Sequence, residues 1–131
     1  LLDDYEEGTW TIASGAINGI TYTVSSTSGT TYTKIGRQVT VTGSLVYGGH
    51  TADNNATYIG NLPFTSASAS GTNFIGKCMI NDNTLDGVGV LLANGVTYLK
   101  LFKAGSGTYD YVTRSESANQ AISFTITYFT D

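Results

Sequence analysis

The sequence predicts an all-β domain, an antiparallel β-sandwich or jelly-roll-like fold, on three observations. Apolar residues alternate with Thr and Ser at period two over long stretches, the spacing of strands with one buried and one wetter face. Gly, Asn and Ser punctuate the chain at short intervals, as turns between strands do. No segment repeats its apolar residues at helical spacing. Together these give roughly nine or ten short strands.

Taken in order, Trp10 opens the alternation. Ile20, Tyr22 and Val24 share one face against Thr21 and Thr23. Asn18-Gly19, just ahead, suits a type I′ hairpin, whose two central residues both need positive φ. Val39, Val41, Gly43, Leu45 and Tyr47 form a second stripe, backed by Gln38, Thr40, Thr42 and Ser44. Thr57-Tyr58-Ile59 reads as a strand that ends before Pro63, the single proline, because proline gives a ladder no N–H. Cys78 takes an alternating apolar position between Phe74 and Ile80, and Asn94-Gly95 predicts a second type I′ hairpin between Leu91-Leu92-Ala93 and Val96-Thr97-Tyr98. In the last strand Ile122, Phe124, Ile126 and Tyr128 face away from Ser123, Thr125 and Thr127.

At 131 residues the chain fits one domain, large enough to bury about 68% of the surface its unfolded form exposes. One cysteine makes no intrachain disulfide, so Cys78 reads as a small buried hydrophobe. A net charge of −4, with six Lys and Arg scattered along the chain, provides no basic stripe for phosphates, so no nucleic-acid partner is expected. The longest apolar runs, such as Val88 to Ala93, are far too short to span a bilayer as a helix, so no membrane insertion is expected. The 21 Thr, 12 Ser, 16 Gly and nine Tyr instead predict a polar, weakly charged surface.

Positions 2–11 read Leu-Asp-Asp-Tyr-Glu-Glu-Gly-Thr-Trp-Thr. Tyr-Thr-Lys-Ile-Gly-Arg follows at Tyr32 to Arg37, Val-Thr-Val at Val39 to Val41, Leu-Pro-Phe-Thr at Leu62 to Thr65, and Tyr128-Phe129 lies near the end. In this order the landmarks resemble the C-terminal domain of bacteriophage tail fibre proteins, over nearly the whole chain. That family commonly has a proline soon after the Trp. Here Thr11-Ile12 follows Trp10, which predicts a longer first strand. The resemblance implies a homotrimer in which neighbouring chains cover the sheet edges, at the distal end of a tail fibre on the virion. It also implies binding to a bacterial surface glycan or outer-membrane protein. On this reading residues 1–8 are an acidic entry segment joining an upstream fibre region, and 9–131 are a single β-sandwich tip domain.

The sequence offers little to catalysis. Glycoside hydrolysis needs two carboxylates about 5–10 Å apart. Asp3, Asp4, Glu6 and Glu7 crowd the entry strand and read as a solvated linker or shaft contact, while Asp110 and Glu116, in a later turn region, could pair but nothing in the spacing demands it. His50 is the single histidine and no Gly-x-Ser-x-Gly elbow occurs, so no nucleophilic triad is expected and the chain reads as no enzyme. Copies of His50 in a trimer would meet near the axis, but no His-x-His repeat accompanies it. Asn81 to Gly87 lacks the spacing and closing Glu of an EF-hand. No metal or cofactor is therefore expected.

Binding remains, for which loops of Tyr, Ser, Gly and Asn are suited: Tyr supplies area with few rotors, and small polar residues adapt their hydrogen bonds. The first candidate is Ala104 to Tyr111, where Tyr109 and Tyr111 share a face beside Asp110 to stack on a sugar while the acid accepts its hydroxyls. The alternative there is a strand edge whose Tyr pair packs on a neighbouring subunit. The second candidate is the Tyr47 to Asn55 segment, with Tyr47, His50, Asp53 and Asn54, and the third is the small-residue loop Ser66 to Asn73. Trp10 reads as a core or interface anchor, and Lys34 and Arg37, beside the Ile35-Gly36 turn, as partners of acidic neighbours. The function expected is receptor binding without catalysis. A structural trimerisation cap and a depolymerase using Asp110 or Glu116 are the alternatives.

Overall fold

A computed structural model describes residues 4–17, 20–48, 56–81, 87–104, 109–113 and 119–131. Among these residues eleven strands follow one another: β1 (Tyr5–Thr9), β2 (Gly15–Ile17), β3 (Ile20–Tyr22), β4 (Val24–Ile35), β5 (Gln38–Tyr47), β6 (Tyr58–Ile59), β7 (Phe74–Ile80), β8 (Gly89–Leu92), β9 (Leu99–Ala104), β10 (Tyr109–Tyr111) and β11 (Ala121–Phe129). The described residues contain no helix. The molecule is all-β and every strand pair is antiparallel.

The main sheet runs β1-β4-β5-β11-β7-β8-β9-β10, with β6 added beside β9, and β2 and β3 form a separate ribbon. Where the sequence suggests two packed sheets, nine strands form one continuous ladder that curls on itself. Its inner face carries the core, and the alternation read from the sequence places it. Val39, Val41, Leu45 and Tyr47 of β5 and Ile122, Phe124, Ile126 and Tyr128 of β11 are all buried. Val90, Leu92, Leu99 and Leu101 continue the same face on β8 and β9. Each such side chain contributes about 1.5–3 kcal/mol on burial.

β11 holds the sheet together. It pairs with β5 from Ala121↔Val46 to Phe129↔Gln38, and with β7 from Ile122↔Ile80 to Thr125↔Lys77. The second ladder stops where Gly76 arrives. A Cβ on Gly76 would lie 2.3 Å from the Thr125 carbonyl oxygen and 2.7 Å from Ile126 Cβ, so only glycine lets β7 cross β11 this closely.

Trp10 settles into the core. It is 7% exposed, its Nε1–H donates to the Thr42 carbonyl at 3.1 Å, and its ring meets Phe124 edge to face. β1 ends at Thr9, and the Trp10 amide carries its register one bond further, to the Thr30 carbonyl at 3.1 Å. The acidic entry segment enters the sheet, with β1 paired to β4 from Tyr5↔Ile35 to Thr9↔Thr31.

The Asn94-Gly95 hairpin takes a different form. β8 and β9 do pair, but β9 begins at Leu99, and Gly95 has φ +68° while Asn94 does not share the positive φ of a type I′ turn. Ser66 is the reason. Its Oγ–H donates to the Ala93 carbonyl at 2.6 Å and its Oγ accepts the Val96 amide at 3.0 Å, while the Ser66 and Val96 backbones pair at 3.0 Å. The loop's polar groups are thus spent on another segment. The Asn18-Gly19 turn lies outside the described residues, although Ile17 and Ile20 on either side of it pair. β6 ends at Ile59, ahead of Pro63 as expected.

Two glycines give a graded test of this packing. Gly76→Ala drives a methyl into backbone and is expected to destabilise by about 3 kcal/mol, whereas Gly43→Ala meets only the Phe124 ring edge at 3.0 Å and costs less. Urea denaturation compares them, and a Gly76→Ala protein as stable as Gly43→Ala would contradict the close crossing.

Candidate functional site

The outer face of the sheet is set by its register. One row crosses eight strands through Thr9, Thr31, Thr42, Thr125, Lys77, Gly89, Phe102 and Tyr111. A neighbouring row runs through Ile75, Leu91, Lys100 and Tyr58. The two halves of this face differ. From β4 to β11 it is a hydroxyl surface, with Thr31 and Thr42 2.8 Å apart, Thr40 and Thr127 2.8 Å apart, and Ser44 and Ser123 3.0 Å apart. These groups satisfy one another across strands. From β7 to β10 it is aromatic and cationic.

Lys100 is the centre of that second half. Its Nζ lies 5.0 Å from the centre of the Tyr111 ring and 5.6 Å from that of Tyr58, within cation–π reach of both. Tyr58 meets Tyr98 edge to face with centroids 5.4 Å apart. Phe102 lies against Gly89, where a Cβ would come within 2.6 Å of its ring, so the glycine makes room for the aromatic. Tyr98, Lys100, Phe102 and Tyr111 are half-buried and Tyr58 is buried beneath them. Strand pairing assembles the group: β6 joins β9 at Leu99 and Lys100, and β10 joins it at Phe102 to Ala104.

The residues expected from the sequence are distributed differently. Tyr111 belongs to the platform. Asp110, one position earlier, is turned to the other face, opposite Lys103, and its Oδ1 accepts the Tyr111 amide at 2.8 Å. The Tyr109 backbone pairs with Ala104 and its side chain lies outside the described part. Tyr47 is a correction. It is fully buried, its hydroxyl donates to the Tyr58 carbonyl and accepts the Tyr58 amide at 3.2 Å, and it supports the floor of the platform without meeting a ligand. His50, Asp53, Asn54 and Glu116 lie outside the described residues, as does most of the Asn81 to Gly87 turn. Of the third candidate loop, Ser66 is buried and structural.

Tyr58, Tyr98, Lys100 and Phe102 were not singled out by the sequence. Each sits at an alternating position of a short strand and looks like scaffolding until pairing sets it beside Tyr111. Several other charged residues serve the fold. Arg37 Nε–H donates to the Thr130 carbonyl at 2.8 Å, and Lys34 lies opposite Glu6 with its Nζ 5.8 Å from the Phe64 ring. Glu6 accepts the Tyr32 hydroxyl at 2.6 Å, which raises the Tyr32 pKa. Asp131 is held below its ordinary range by hydrogen bonds from Ser68.

Among the described residues no three His, Cys, Asp or Glu side chains converge as a metal site, and no helix is long and apolar enough to cross a membrane. Comparison with protein-family models, with curated proteins and with solved structures finds no match.

Two buried groups give testable consequences. Tyr47→Phe leaves the Tyr58 peptide without its buried partner and is expected to cost about 2 kcal/mol in denaturant unfolding; an unchanged midpoint would remove Tyr47 from its supporting role. Burial also pushes the Cys78 thiol from 9.0, and the Tyr128 phenol from 10.0, each up to about 12. The folded chain then keeps protons that the unfolded chain loses, so stability falls as pH rises. This contribution is whole below about pH 9 and declines towards about pH 12. Denaturation midpoints across that range test it, and Tyr128→Phe should flatten the decline.

Proposed function

We propose that this chain is the non-enzymatic receptor-binding tip of a bacteriophage tail fibre, a jelly-roll-like homotrimer at the distal end of the fibre on the virion, which recognises a bacterial surface glycan or outer-membrane protein. The observation that carries the reading is the platform of Tyr58, Tyr98, Lys100, Phe102 and Tyr111. Aromatic faces stack on sugar rings, and the polar ends of Tyr and Lys address their hydroxyls. A single shallow platform binds weakly. Three copies per fibre raise avidity by about 10²–10⁴ without new contacts.

Exposed apolar residues support the trimer. Tyr5, Ile35 and Phe129, each about half exposed, lie with Gln38 in one register row, and Ile75 and Met79 are 68% and 77% exposed on β7. Single exposed apolar residues are ordinary, but a row of them marks a contact surface. Among the described residues β1 and β10 stand at the two ends of the strand order, edges that a neighbouring chain would cover. The same row favours a second reading, in which the domain only caps and registers a trimeric shaft.

The test combines oligomeric mass with adsorption to a panel of candidate bacterial hosts, comparing the wild type with the double variant Tyr98→Ala and Tyr111→Ala. A trimer that binds, and a folded trimeric variant that binds at least about tenfold less, is expected. A folded trimer that adsorbs to no host leaves the capping role in its place. Separately, Ile75→Asp with Met79→Asp is expected to yield folded monomers by light scattering.

A further inference from the structure

We infer that the ligand of this platform is an acidic glycan, and that Lys100 anchors its carboxylate or phosphate between the rings of Tyr58 and Tyr111. The inference rests on the receptor-binding reading and narrows it to one ligand chemistry.

The Lys100 ammonium has three donors. Its contacts are two ring faces, and among the described residues no carboxylate or carbonyl accepts from its Nζ. Lys100 is half-buried as a residue, and the two ring faces beside its ammonium return attraction but no hydrogen bonds. An anion supplies both. The two rings lie beside the ammonium itself, so an arriving sugar meets a charge whose position is already set.

The other lysine over an aromatic ring shows the difference. Lys34 near Phe64 shares its groove with Asp131 and stands opposite Glu6 in the ladder, so acids of the chain already face it. Lys100 has no such neighbour among the described residues. Asp4, Glu6 and Glu7 lie at the β1 end, at the far side of the sheet order from β9 and β10, and Asp110 is turned to the face opposite Tyr111. Lys77 stands in the adjacent row with Phe102 and Tyr111 and adds a second positive charge to this face. A chain of net charge −4 thus keeps its described acids away from one cationic spot.

The donor inventory points the same way. Phenols both donate and accept and so serve neutral and acidic sugars alike, whereas the Lys100 ammonium only donates and the platform's own side chains include no carboxylate or amide. A platform whose one charge is positive, with no acid of its own, favours a ligand that brings the anion.

The experiment displays three probes multivalently on beads: a glucuronate-bearing oligosaccharide, the same oligosaccharide with its carboxyl groups reduced to alcohols, and a phosphate-bearing oligosaccharide of similar length. The wild-type chain, Lys100→Gln, Lys100→Arg and Lys34→Gln are compared for retention on the beads and for adsorption to host cells. Retention on at least one acidic probe should exceed that on the neutral probe by about tenfold. That contrast should weaken with salt, vanish in Lys100→Gln, and persist in Lys100→Arg and in Lys34→Gln. Whichever acidic probe is preferred identifies the carboxylate or the phosphate as the source of the anion. Equal retention of acidic and neutral probes, or unchanged host adsorption by Lys100→Gln, overturns the acidic-ligand inference and leaves the receptor-binding reading intact. A folded wild-type trimer that retains no probe and adsorbs to no host overturns both.

Discussion

The double pairing of β11 is the constraint on which the molecule depends. It is the last strand in the chain, yet it sits inside the sheet and joins the half made of β1, β4 and β5 to the half made of β7 to β10. Its two ladders join residues far apart in sequence, such as Phe129 with Gln38 and Ile122 with Ile80. Loop closure must therefore precede most of the stabilising contacts, which places this fold among slow, high-contact-order β proteins. The β4–β5 hairpin, turning at Gly36 with φ +55°, is local by comparison. It provides a template onto which the final strand docks.

Once β11 is seated, every other residue's side of the sheet is decided. A slip of one residue would send Ile122, Phe124, Ile126 and Tyr128 to solvent and bring Ser123, Thr125 and Thr127 inward. The hydroxyl pairs on the outer face reinforce the register, because Thr40 meets Thr127 and Ser44 meets Ser123 only in this alignment. So does Phe124, whose ring fills the space that Gly43 leaves open.

Local patterning made much of this legible. The stripes of β5 and β11, the inward Cys78 and the strand end before Pro63 follow from period-two alternation and proline chemistry, which act within a few residues. What escaped were choices made by distant partners. Ser66 alters the Asn94-Gly95 turn by bonding Ala93 and Val96, and nothing near Asn94 announces it. Tyr47, read both as the end of the β5 stripe and as the start of a candidate loop, is buried with the stripe, where the distant Tyr58 peptide supplies partners for its hydroxyl. The platform was half visible. Tyr111 was chosen for its aromatic spacing, but Lys100 and Tyr58 join it only through β9, whose two short neighbours no spacing rule connects.

The same alternation separates surface chemistry from stability. On β9, Leu99 and Leu101 are fully buried, while Lys100 and Phe102 between and beside them face outward. A substitution at Lys100 or Tyr111 therefore changes surface chemistry without opening a cavity, whereas one at Leu101 does the reverse. A site carried on paired strands is also held by backbone ladders, so less side-chain and loop freedom is lost when a ligand docks. A weak multivalent binder gains most from that arrangement, since each copy's small contribution is not consumed by ordering its own site. The outer face from β7 to β10 can change its side chains residue by residue, while the inner face keeps β11 in place.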